Sequence, residues 1–93
     1  MTQSEDLIMN FKNWMKKNYL EDTTWKGRLA RDIHTDEKFP KNGVVKFEGW
    51  RSLMREYLEK HHACDECLDA FEKCWKEYEY CERVRLKLPL SKQ

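Results

Sequence analysis

His61-His62-Ala63-Cys64-Asp65-Glu66-Cys67 places two histidines and a C-x-x-C within seven residues, and Cys74 and Cys81 follow downstream. Thiolate and imidazole are the ligands structural zinc takes, four at a time, about 2.0–2.3 Å from the metal. His61, Cys64 and Cys67 step by three, so on one helix they share a face. Asp65-Glu66 between the cysteines favours helix over the tight turn of a zinc knuckle, and no second C-x-x-C exists. Cys74 and Cys81 fall roughly 10 and 21 Å along a helix from Cys67, too far to complete the site within one chain. The bland alternative is small core cysteines beside two turn histidines, and it is the expectation here. Thiol redox is the second chemistry. A cysteine at a helix N-terminus with a partner three residues on has the local arrangement of a redox pair. Cys64 and Cys67 have that arrangement, but they lack the strand and the βαβ setting of redox domains. Asp65 and Glu66 also oppose a nearby thiolate, so incidental oxidation is expected rather than redox function.

No other constellation points to catalysis. No serine is matched to a histidine and an acid by a motif, and three glycines leave little material for a phosphate cradle. Acid pairs such as Asp65 and Asp69 read as solvated helix charges. The expectation is a chain that is not an enzyme and takes no cofactor, metal or small-molecule substrate. Basic residues form a different pattern: Lys12/Lys16, Arg28/Arg31 and Arg51/Arg55 each occupy adjacent helical turns. Aligned by packing, they would neutralise several phosphates or another anionic partner. A solvated Lys/Arg face is the commoner meaning. A helix-turn-helix needs a turn of about 3–4 residues, and the break between the second and third helices is about twice that. Nucleic-acid binding through a basic face is therefore the alternative, and a protein partner the preferred expectation.

The elements that must position these residues can be read from periodicity. Ser4 with Glu5 and Asp6 resembles a helix start, and Leu7, Ile8, Phe11, Trp14, Met15 and Tyr19 recur at three and four residues, predicting a first helix over 5–20. Asp22-Thr23-Thr24 is a second cap signal, followed by an apolar stripe of Trp25, Leu29, Ala30 and Ile33. The stretch 36–43 breaks it, because Pro40 disfavours helical backbone before it and Asn42-Gly43 favours a turn. Phe39 in that loop is expected to plug the core. Phe47, Trp50, Leu53, Met54, Tyr57 and Leu58 define a third helix, and the His61-His62-Ala63 stretch turns the chain. The fourth helix starts near Ala63 or Cys64 and runs past Tyr78, with a buried stripe of Cys64, Leu68, Phe71, Trp75 and Tyr78. Cys67, Cys74 and Cys81 form a neighbouring stripe seven residues apart. Whether residues 84–89 extend this helix or leave as an arm stays open. Phe11, Leu29, Ile33, Phe39, Tyr57, Leu68, Phe71, Trp75 and Tyr78 are the expected core.

Composition sets the scale. Ninety-three residues suit one small domain. Its twelve aromatics suit a dense core and argue against disorder, while 38% charged residues imply a well-solvated surface. No apolar run approaches bilayer length, and the N-terminal residues lack a basic leader with an apolar stretch, so neither a membrane partner nor a signal peptide is expected. A cytoplasmic location, where thiols stay reduced, is the default. The net charge of +1 hides a segregation: residues 65–82 carry seven acids against two lysines, and residues 83–93 carry only bases. That organisation suggests a helical domain over 1–82 and a basic tail over 83–93.

Phe11 with Trp14-Met15, Leu29-Ala30-x-Asp32-Ile33, Asp36, Phe39-Pro40-Lys41, Tyr57-Leu58-Glu59 and Phe71-Glu72-x-x-Trp75-x-x-Tyr78 occur in that order. Over residues 10–79 the chain resembles the YozE-like family, small proteins of Gram-positive bacteria with a fold similar to a sterile alpha motif. The segment between Pro40 and Tyr57 looks longer than the family pattern, the basic tail lies beyond it, and no cysteine falls on a family position. The resemblance implies an all-α, compact four-helix SAM-like bundle of binding type, with no inherited catalytic residue. It also implies one mode of self-association, in which a helix end meets an acidic mid-surface. Here the acidic fourth helix and the basic tail would supply the two sides.

Overall fold

The computed structural model describes residues 9–42 and 47–87. Four helices follow one another: α1 (Phe11–Tyr19), α2 (Trp25–Thr35), α3 (Phe47–Lys60) and α4 (Asp65–Arg85). α4 packs against each of the other three, and α1 packs on α2, so the longest helix is the mast of the bundle. Its inward face carries Cys67, Ala70, Phe71, Cys74, Trp75, Tyr78 and Glu82. Phe11 sits at the centre, its ring centroid 5.0 Å from Trp75, 5.3 Å from Tyr78 and 5.6 Å from Phe71. Burying one such ring is worth about 1.5–3 kcal/mol, with edge-to-face packing adding to it.

The expected core is found with two adjustments. Phe11, Leu29, Ile33, Phe39, Phe71, Trp75 and Tyr78 are buried, and loop residue Phe39 closes the core with its ring edge-on to Tyr57. Tyr57 and Leu68 are only half-buried and pack on the core from outside. Other stripe assignments are corrected. Cys64 is exposed, because it is the N-cap of α4 and its extended backbone (φ −75°, ψ 168°) takes it out of helical phase. Cys67 and Cys74 are buried and Cys81 is exposed, since the inward stripe ends on Glu82 instead. Trp25 and Leu53, both read as stripe residues, are 41% and 46% exposed.

The first helix begins later than its apolar period suggests. Asn10 caps α1 with extended backbone, its side chain accepting the Asn13 N–H at 2.8 Å. Met9 cannot join the helix because α4 claims its backbone: its N–H donates to Glu82 Oε1 (3.0 Å) and its carbonyl accepts from the Tyr78 hydroxyl (2.5 Å). Ser4 and the rest of the expected first turn lie outside the described residues. At the other end, α4 runs through Arg83 and Arg85, residues assigned by sequence to the tail, and stops at Leu86 with Lys87 in left-handed backbone (φ 59°). Residues 88–93 lie outside the described residues.

Candidate functional site

α2 is started by a nested cap. Asp22 accepts from the Thr24 N–H (2.6 Å) and from the Thr24 hydroxyl, while Thr24 Oγ1 accepts from the Lys26 N–H (3.3 Å). These bonds hold the Asp22 carboxyl below the usual carboxylate range. The cap leaves Trp25 as the first helical residue, before the amphipathic face turns inward. Gly27 then lets α2 lie against the preceding turn: a Cβ there would sit 1.7 Å from the Asp22 carbonyl oxygen. Arg31 closes the same turn, donating to the carbonyls of Leu20 (3.0 Å) and Asp22 (2.9 Å). Trp25 is thereby held outward on a rigid base, with the Arg28 guanidinium 5.5 Å from its ring.

The opposite wall is the corner between α3 and α4. His62 N–H donates to Glu59 carbonyl (3.1 Å) and Ala63 N–H to Leu58 carbonyl (3.0 Å), the paired bonds of a Schellman motif. His62 occupies the left-handed position (φ 62°) that such motifs usually give to glycine. His61 stacks on Tyr57 with centroids 4.2 Å apart, and the Tyr57 hydroxyl donates to Asp36 Oδ2 at 2.7 Å. That bond stabilises the Asp36 carboxylate and lowers its pKa, while raising the pKa of the Tyr57 phenol.

Between these walls lies a cleft of about 350 Å³. Ile33, Phe39 and Leu58 give it an apolar floor, and Trp25, Arg28, Asp32, His61, His62 and Cys64 form its walls and rim. A second depression of about 420 Å³ adjoins the other side of Trp25, toward Glu66 and Asp69. Trp25 therefore stands between two hollows.

The histidine-cysteine run forms the corner between α3 and α4. His61 is engaged with Tyr57, and among the described residues no three His, Cys, Asp or Glu side chains are grouped as a metal would need. Burial pushes the Cys67 thiol up to about 11 and the Cys74 thiol up to about 12.

The six basic residues singled out by sequence are not brought together. Arg51 donates to Glu48 (2.7 Å) and Glu72 (3.0 Å), and Arg55 to Glu59 (3.0 Å) and Glu72 (2.8 Å). Both therefore converge on Glu72 in the α3–α4 seam. Arg31 is spent on the α1–α2 turn, and Lys12 donates to the Asp36 carbonyl at 2.8 Å. Lys16 is exposed and Arg28 belongs to the cleft. Four further acids of α4 are similarly engaged: Asp69 with Lys73, Glu77 with Lys26, Glu79 with Arg83 and Glu82 with Arg85.

Sequence reasoning missed Trp25 as a surface residue, although its place directly after the Asp22-Thr23-Thr24 cap was the available signal. It also missed Asn42 and Glu82 as buried polar residues, for which composition and period carry none. No described helix is long and apolar enough to cross a membrane. The chain has no significant match among curated proteins or solved structures. The model of one family, described as the YozE SAM-like fold, matches residues 10–80. With that span covering both walls of the cleft and the whole aromatic core, the chain belongs to the YozE SAM-like family.

Proposed function

We propose that this chain is a non-catalytic protein-interaction module of the bacterial cytoplasm that receives a partner's apolar side chain in the Trp25 cleft. The observation that carries the reading is the exposure of Trp25, 41%, on the lip of an apolar-floored cleft beside Arg28. Tryptophan and arginine are the residue types that most often dominate binding energy, and they do so where a pocket excludes water around them. The nested cap and the Arg31 clamp hold Trp25 in place before a partner arrives, which reduces the ordering cost of association.

Two further observations support this reading over its rivals. Arg51 and Arg55 are neutralised by Glu72, so a phosphate approaching them would have to displace a carboxylate held by two arginines. Arg83 and Arg85, at the basic end of α4, pair with Glu79 and Glu82 of the same helix, so these cations are already engaged within one chain. A different chain is thus a better-supported partner than a second copy docked head to tail.

The test is selection of binding peptides from a displayed random library, followed by titration against variants. Trp25→Ala should weaken a selected peptide by about 2 kcal/mol, roughly thirtyfold, whereas Arg51→Ala with Arg55→Ala leaves it unchanged. Peptides that bind Trp25→Ala as well as the parent would sink the cleft reading. DNA or RNA binding that falls steeply with salt and is lost in Lys16→Ala or Arg28→Ala would establish the nucleic-acid alternative instead.

A further inference from the structure

Cys64 and Cys67 differ in access. Cys64, the N-cap of α4, is exposed on the cleft rim and its side chain makes no capping hydrogen bond, so its sulfur is not committed to the helix. Cys67, three residues on, is buried. Helix rise and radius put Cα atoms so spaced about 5 Å apart, within the roughly 4.4–6.8 Å that a disulfide spans. The other cysteines do not compete: Cys74 is buried, and Cys81 lies roughly 25 Å along the helix from Cys64.

We propose that Cys64 and Cys67 form a thiol–disulfide exchange site for small disulfides of neutral or positive charge. Cys64 attacks one sulfur of the reagent, forming a mixed disulfide and releasing the first thiolate, which takes up the proton Cys64 gave up. Cys67 then loses its proton and attacks the Cys64 sulfur. The second thiol leaves with that proton, and a Cys64–Cys67 disulfide remains. Two protein thiols are oxidised, and one reagent disulfide is reduced to two thiols. Access sets the order, since only Cys64 meets solvent. Burial keeps the Cys67 thiol protonated, making resolution the slower step. The charge preference follows from Asp65 and Glu66 in the first turn of α4 and from Asp32 and Asp36 in the cleft, which together outnumber the one arginine of its rim, Arg28. These carboxylates repel an anionic reagent and attract a cationic one. The inference is independent of the interaction reading, because it depends on neither Trp25 nor a partner.

The experiment uses the full chain carrying Cys81→Ser, which removes the other exposed thiol, with cystamine as cationic probe and oxidised glutathione as anionic probe. Intact mass should fall by two hydrogens, the bond should map to Cys64 and Cys67, and reductant should reverse it. Cystamine should react faster than glutathione disulfide, the gap closing as salt rises. Cys67→Ala should instead hold one cysteamine on Cys64. Cys64→Ser, which places a favoured cap residue at that position, should take none. As a check that needs no variant at position 67, native alkylation should label Cys64 at least about tenfold faster than Cys67, which is reached only through local opening. Alkylation of Cys64 should abolish the mass loss. An unreacted chain, a mixed disulfide on Cys64 that Cys67 never resolves, or equal reaction of Cys64→Ser would overturn the site. Faster reaction with glutathione disulfide would overturn the charge preference.

Discussion

Asn42 Nδ2 donates to the Tyr78 hydroxyl at 2.7 Å, joining the loop after α2 to the second half of α4. The same side chain accepts the Phe11 N–H through Oδ1 at 2.8 Å, and the Tyr78 hydroxyl donates to the Met9 carbonyl. One buried amide thus satisfies the first turn of α1 and the one phenol wholly inside the core. Asn42→Ala would strand the Phe11 N–H and remove a partner from Tyr78. It should cost about 2–4 kcal/mol in urea denaturation, and a loss below about 0.5 kcal/mol would show that the network is dispensable.

Trp75 is 1% exposed, and its indole Nε1 has no hydrogen-bond partner among the described residues. Its ring and its N–H therefore act in opposite directions. Trp75→Ala should cost about 3–5 kcal/mol through the cavity left behind. Trp75→Phe keeps most of the packing and removes an unsatisfied donor, so it should cost less than about 2 kcal/mol. Similar melting losses for the two variants would mean that the N–H is satisfied in solution.

Gly27 and Gly49 both lie in helices, where alanine normally stabilises by about 1 kcal/mol. At Gly49 nothing among the described residues lies within 4 Å of a new Cβ, so Gly49→Ala should raise the melting temperature. At Gly27 the new atom collides with the Asp22 carbonyl, a backbone group that Arg31 also holds. Gly27→Ala should lower the melting temperature and, by shifting the turn beneath Trp25, weaken any ligand of the cleft. Equal shifts of the same sign would refute the close approach.

His62 adopts φ 62° at the Schellman position of the α3–α4 corner. Left-handed backbone costs a side-chain-bearing residue about 1–2 kcal/mol, a penalty glycine does not carry. Glycine's larger unfolded-state entropy offsets part of the gain, so His62→Gly should stabilise by about 0.5–1 kcal/mol. Destabilisation would imply that the imidazole makes a contact at this corner worth more than the strain.

The Tyr57 hydroxyl lowers the folded-state pKa of Asp36. The unfolded chain therefore binds that proton more readily than the folded one. The contribution is complete above the unfolded value, about 3.9, and is lost as pH falls through the folded value. Tyr57→Phe removes the bond, so its stability should fall less steeply than the parent's between pH 5 and the acid transition, as followed by urea midpoints at about 5, 4 and 3. Parallel curves would exclude the pair as a source of acid sensitivity.

Periodicity and chemistry local in sequence determined a good deal here: four helices in order, the cap before Trp25, the turn at His61-His62 and most of the aromatic core. Each depends on residues within a turn or two of one another, and those interactions are written along the chain. The ordered motifs from Phe11 to Tyr78 carried the family as well. What only the tertiary structure decided is where side chains meet across elements. The first helix begins at Phe11, after the Asn10 cap, because Glu82 and Tyr78, about seventy residues away, take the backbone of Met9. Arg51 and Arg55 look like an anion-binding pair until packing brings Glu72 between them. Trp25 continues an apolar stripe by spacing, yet it faces outward because the cap sets it ahead of the packed face. Cys64 and Cys67 share one stretch of sequence but differ in access, since one ends a turn and the other begins a buried stripe. Long-range pairing and the phase of a helix against its neighbours come from the relative placement of whole elements, which no local spacing encodes.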